Sequence, residues 1–391
     1  MMLVRTLGLS LAFLIAGSVL VRAADTAPFE LNAILPLTGP AAFVGDSQKH
    51  GLQALEALVN SQGGINGRPV KFVFNDDATS PQVVVQLTNQ VMAKKVAVIF
   101  GPATAQECAA QTPLVQEHGP ITWCYSPLGA LPKPGGYAFT IGPRFSDQLA
   151  FDMRYFRSRG FRTVGIITSS DSTGQDADKS IDAMMAGSDF RDMKIVAPEH
   201  FNPADVSVTA QIARIKAAKP DVLLAYTTGT PFATVLRGIN DLGLQVPVLT
   251  SGGNLNKVLM KQYASILPKE LLFNGARGVI PDPSSTGKTR QAQQNYFDAL
   301  KKAGVDPTNA LLAVWDPAMI VVDGLRKLGT DATALQLHDY VEKLKGWNGV
   351  LGTFDFTSGA QRGVSVDAVA VFRWDAASND WEQVAPVPRR R

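Results

Sequence analysis

The chain has 391 residues, of which 46% are hydrophobic and 18% charged, with a formal net charge of +3. That length exceeds one ordinary core and points to two domains. The apolar content excludes a disordered chain, and the near-neutral balance offers no basic stripe for nucleic acid, the terminal Arg389, Arg390 and Arg391 reading as a solvated tail.

At the N-terminus, Arg5 precedes an apolar run from Leu7 to Val21, followed by Val21, Arg22 and Ala23 as a small-residue cleavage signal. The run is shorter than the roughly 20 residues of a spanning helix, so residues 1–24 read as a secretory signal peptide and the mature chain as soluble and exported. From Phe29 onward, β-branched or apolar runs alternate with helical patterns. FELNAILPL, PVKFVFNDD, VAVIF and ITWCY read as strands, with helices around 51–59, 82–95 and 104–118. After YAFTIGPR the rhythm restarts with a helix over 146–159. The strands TVGIITS, MKIVAPEHF, DVLLAY and VPVLTS then alternate with helices near 175–185, 208–218 and 232–242. Such alternation predicts parallel β-α-β units.

Beyond Pro268 the chain offers a strand-like ELLFNGARGVI, three helices between 286 and 345, then GVLGTFDF, VDAVAVFRW and WEQVAPV. This tail is too short for a third core. The expected fold is α/β with two Rossmann-like lobes. One comprises 27–141 plus 281–353 and the other 142–280 plus 354–388. A three-strand hinge joins them at 139–143, 278–283 and 352–356, where Gly and Pro punctuate the elements. Hinge motion would open and close a cleft. Cys108 and Cys124 either form a disulfide or act as two small buried hydrophobes.

Catalytic motifs are missing. His50, His118, His200 and His338 are scattered without metal-ligand spacing and read as surface or helix-end residues. SSTGKT lacks the first Gly of a phosphate loop, where Asp282 stands, and reads as a helix cap. Adjacent acids such as Asp76 and Asp77 read as caps. What recurs is a set of small, hydroxyl-rich loops at strand ends: LTGPAAFVG, GPATAQ, SPLGAL, SSDSTGQ, TTGTP and TSGGN. Ligands of open α/β sheets bind outside the carboxyl ends of the strands, where helix N-termini present free N–H groups to an anion.

The stretch from LTGPAAFVGDSQKHG to NDDATSP resembles the opening of the ABC-importer periplasmic binding proteins of the Leu/Ile/Val-binding family, which have the type I periplasmic binding fold. The pattern is the TGP at 38–40, Gly45, the GGINGR at 63–68, Asp76 with Asp77, and Pro81, with Gly101, Gly136 and Tyr137 extending it. The resemblance implies a non-catalytic monomer without cofactor or metal. It would capture a small solute by lobe closure and dock with a permease and ATPase in the inner membrane. Contacts are expected from Phe43 and Val44, from Ala103, Thr104 and Ala105, and from Tyr125, Ser126, Gly129 and Ala130 on the first lobe. The second lobe would add Ser172 and Thr173, Thr228 and Gly229, and Gly252 and Gly253.

Family members that hold an α-amino acid use a hydroxyl pair for the carboxylate, an acid for the ammonium and tyrosines that shut the cleft. The flanking motifs put the hydroxyl positions at Ala105 and Ala130, the acid at Gly252 and the tyrosines at Thr173 and Gly229. None keeps the expected type, although Thr104 retains a neighbouring hydroxyl. An uncompensated buried ammonium is costly, so a small carboxylate without an α-amine, such as an aromatic acid, is the favoured ligand. Loss of the tyrosines should enlarge the pocket. Trp123 reads as strand core and Tyr125 as core or pocket wall. Three alternatives remain: an amino acid held by Asp171, a clamp that serves as a ligand sensor, and an enzyme on a similar scaffold.

Overall fold

A computed structural model describes residues 27–126, 132–282 and 284–385. Residues 1–24, expected to be a signal peptide, Gly129, Ala130 and the terminal arginines lie outside them. The first sheet contains β1 (Phe29–Leu35), β2 (Val70–Asp76), β3 (Val98–Phe100), β4 (Ile121–Cys124) and β5 (Ala138–Thr140), all parallel in the order β2-β1-β3-β4-β5. Between them run α1 (Ala42–Ser61), α2 (Pro81–Met92) and α3 (Ala105–Val115). Both faces are covered, so β3 and β4 are buried continuously instead of alternating.

The second unit begins with α4 (Phe145–Ser158) and continues through β6 (Thr163–Ser169), α5 (Ser172–Met185), β7 (Lys194–Phe201), α6 (Thr209–Ala217), β8 (Val222–Tyr226), α7 (Thr230–Leu242), β9 (Val248–Thr250), α8 (Lys257–Gln262) and β10 (Leu271–Ala276). The chain then returns as α9 (Gly287–Ala303), α10 (Asn309–Leu328) and α11 (Ala334–Glu342). The hairpin β11 (Lys345–Asn348) and β12 (Thr353–Asp355) follows, and the chain ends with β13 (Val369–Asp375) and β14 (Asp380–Ala385). The second sheet has the order β14-β13-β10-β9-β8-β6-β7. Its last two strands are antiparallel, β13 to β10 and β14 to β13, the latter because a short turn between them permits no parallel pairing.

Helix α10 packs along α1. At Gly51 any Cβ would lie 2.6 Å from the Leu311 side chain, so this glycine lets the two helices touch. GVLGTFDF does not form one strand. Its Gly349 and Gly352 make the turn of the β11-β12 hairpin, tied to α10 by Val350 and Leu351 N–H groups that donate to Asp316 at 2.9 Å each. Phe356 then packs edge-on against Trp123 and Phe139 of the first sheet. The third passage between lobes therefore falls after Gly363, later than the expected 352–356. Gln361 and Arg362 brace it against the first passage. The Thr140 N–H donates to the Gln361 carbonyl at 3.0 Å, and the Arg362 guanidinium reaches the Gly142 and Pro143 carbonyls.

Cys108 on α3 and Cys124 at the end of β4 form a disulfide, with Cα atoms 5.6 Å apart. Trp123 is fully buried, as a core residue. His338 departs from its surface expectation: it is buried on α11 and stacks on Tyr137 at 4.4 Å.

Candidate functional site

A cavity of ≈ 180 Å³ lies where the carboxyl ends of both sheets face each other. The first lobe supplies Val44 from α1, Ala103 to Ala105 from the turn after β3, and Tyr125 and Ser126 after β4. Thr104 caps α3, with the reciprocal Glu107 carboxylate accepting from the Thr104 N–H, so the helix start is held toward the cavity. The second lobe supplies Thr173, Thr228, Gly252 and Gly253. Thr228 and Ser251 hydroxyls meet at 2.9 Å, and Asn254 ties this corner together by accepting from the Gly229 N–H and donating to the Thr227 carbonyl.

Three expected contacts sit differently. Phe43 is beside the cavity, packed on Val44, Ala103 and Ala310. Ser172 opens α5. Gly229 is at the rim. With φ of +89°, a Cβ there would stand 2.7 Å from the Pro40 carbonyl oxygen of the first lobe. The absence of a bulky side chain at 229 therefore does not enlarge the pocket, because the opposite lobe's loop fills the space.

Tyr125 is the principal polar group of the wall. It is 4% exposed and its hydroxyl has no hydrogen-bond partner, while burial raises its pKa far above the usual phenol range. Its phenol is therefore neutral, and Tyr125 belongs to the cavity lining. Asp171 is not available to a ligand in the same way, since its Oδ1 accepts from the Thr173 and Gly174 N–H groups and the Ser169 hydroxyl as the cap of α5. The one carboxylate among the described lining residues is Asp176, and the buried Arg362 guanidinium feels its charge. Behind the wall, Asp152 accepts from Asn274 at 2.8 Å and from the Tyr226 hydroxyl at 3.2 Å. Burial pushes its carboxyl up to about 8, against the lowering by these two donors.

Residues that the sequence did not mark as ligand contacts, among them part of the expected hinge at 139–143, also line the cavity. Ile141, Gly142, Pro143 and Phe145 come from the first passage between lobes, Asn274 from β10, Asn309 and Ala310 from α10, and Leu351 from the hairpin turn. Gln48 on α1 belongs with them. Among the described residues no cluster of His, Cys, Asp or Glu could hold a metal ion, and no helix is long and apolar enough to cross a membrane.

A family model described as periplasmic binding protein matches residues 30–379. The chain is 23% identical to Leu/Ile/Val-binding protein homolog 3 of Brucella melitensis, covering 94% of this chain and 96% of that relative. Two solved structures share the fold at 18% identity, each covering 92% of this chain. One is a branched-chain amino acid transporter substrate-binding protein from Streptococcus pneumoniae in complex with isoleucine, with TM-score 0.77 over 100% of that chain. The other is an ABC transporter solute-binding protein from Rhodopseudomonas palustris in complex with benzoate, with TM-score 0.76 over 96% of that chain.

Proposed function

Since this chain belongs to the periplasmic binding protein family, we propose that it is the non-catalytic solute-capturing subunit of an ABC importer, closing two lobes on a small carboxylate without an α-amine, in the first place an aromatic acid. It would be exported by the leader at 1–24 and act as a monomer with a membrane permease and ATPase. The lobes are read as 27–141 with 281–353 and 142–280 with 354–388, the packing of Phe354 and Phe356 moving residues 354–363 to the first of them.

The observation that carries the ligand class is the charge of the wall. A carboxylate needs donors, and the Tyr125 hydroxyl and the start of α3 offer them. An ammonium needs an acid, and Asp176 is already in the field of Arg362. Phe145 and Tyr226, 4.9 Å apart and edge to face, provide aromatic surface for a ring. The benzoate held by the Rhodopseudomonas palustris neighbour is consistent with such a ligand.

A second reading, an aliphatic α-amino acid with its ammonium on Asp176, is favoured by that carboxylate's place in the wall and by the isoleucine of the Streptococcus pneumoniae neighbour. A thermal-shift screen separates the two. A ligand at 100 times its Kd stabilises the folded chain by about 2.7 kcal/mol. Benzoates are expected to give the largest shifts; leucine or valine giving them would overturn the aromatic-acid reading in favour of the second.

A further inference from the structure

Gln48 lies on α1 one turn after Val44, is 1% exposed and lines the cavity. Both its Oε1 and its Nε2 lack a hydrogen-bond partner. Other buried glutamines in the molecule direct their amides to protein atoms: Gln111 donates to the Thr88 hydroxyl at 3.2 Å, Gln293 to the Val350 carbonyl at 3.0 Å, and Gln361 to the Gly136 carbonyl at 2.6 Å. On the same wall, Val44, Ala103 and Ala310 form an apolar cluster with Phe43. A buried amide with neither end paired is a substantial cost in a folded protein. In a binding cavity, the natural partner is the occupant.

The two free ends of Gln48 restrict what that partner is. A carboxylate would accept from Nε2 but set its charge against Oε1. An ammonium would donate to Oε1 but face the Nε2 hydrogens. A hydroxyl is both donor and acceptor and suits either end, and two neighbouring hydroxyls suit both together. We propose that the ligand carries, besides its carboxylate, at least one hydroxyl on its apolar body, and that Gln48 is the residue that recognises it. This rests on the aromatic-acid reading above and narrows it to hydroxylated aromatic acids. Tyr125 then engages the carboxylate, and Gln48 selects among rings. A site built to bond a ligand hydroxyl discriminates strongly against the analogue lacking it, because the buried polar group is otherwise left unpaired.

The test is titration calorimetry on the exported protein with benzoate and with mono- and dihydroxybenzoates. It is repeated with Gln48→Leu and with Gln48→Met, the latter keeping the side-chain length if the leucine variant melts early. The expected result is that at least one hydroxybenzoate binds the unaltered protein ten times or more tighter than benzoate. The variants should lose that preference, their affinities for benzoate and for that hydroxybenzoate converging. Equal affinity for benzoate and every hydroxybenzoate would overturn the proposal and make a trapped water the partner of Gln48, with the aromatic-acid reading intact. Equal weakening of all ligands by both variants would also overturn it, assigning Gln48 to packing. Failure of every aromatic acid together with binding of leucine or valine would overturn the underlying reading and this inference with it.

Discussion

At the scale of single residues, Tyr125 combines burial with an unmade hydrogen bond, so its hydroxyl weakens the unliganded protein and strengthens the complex. A hydrogen bond to a charged group contributes about 1.5–3 kcal/mol. Tyr125→Phe is therefore expected to lower carboxylate affinity roughly 10- to 100-fold by calorimetry, while the melting temperature of the unliganded protein stays level or rises. Asp77 poses a different problem. It is fully buried, and burial first and the Glu107 carboxylate second push its carboxyl up to about 8. The folded state thus holds a proton that the unfolded chain releases near pH 4, and stability falls as pH rises from about 4 to 8. Asp77→Asn, which keeps a donor toward Glu107 at every pH, should flatten that fall by up to about 1.4 kcal/mol per pH unit, as followed by chemical denaturation across the range. Tyr125 is visible in the sequence because it follows a strand in an α/β rhythm. Gln48 is not: a polar residue on a helix reads as solvent-facing until α10, folded back from more than 250 residues later, covers it.

At the scale of elements, α3 carries the site through its first turn, and three constraints fix that turn. Thr104 and Glu107 cap it reciprocally, and the disulfide from Cys108 to Cys124 anchors it to the end of β4, beside Tyr125. A closed loop of this length, 16 residues apart in sequence, is worth about 3 kcal/mol in the chain-entropy picture. Replacing both cysteines by alanine should cost about that much stability and also weaken ligand binding, because Ala105 and Tyr125 lose their common anchor; unchanged affinity at a lowered melting temperature would confine the bond to stability. The parallel strands are readable from their apolar runs, and so are the helices between them. The pairing of β13 with β10, and of β14 with β13, is less so, because an antiparallel edge added from the distant C-terminus depends on where the third passage between lobes falls. Phe354 and Phe356 decide that by packing on the first lobe, a choice that no local pattern announces. The same long-range return brings Asn309, Ala310 and Leu351 into the cavity.

For the whole molecule, the proposed closure would pass through the contact at Gly229. A methyl there would collide with the Pro40 carbonyl across the cleft, at a backbone angle that side chains rarely adopt. Gly229→Ala is expected to hold the lobes apart, which small-angle scattering would register as a larger radius of gyration at saturating ligand, with affinity reduced tenfold or more. A lower melting temperature with unchanged closure would limit the effect to local strain. In the unaltered protein, the Pro40 carbonyl and the Phe43 ring of the first lobe stand against Gly229 of the second. The free-energy gap between shut and gaping forms is then set mainly by the occupant, since only what binds one form better can move the balance. A permease of the proposed kind that reads the rims would then receive, in their spacing, information about what is inside.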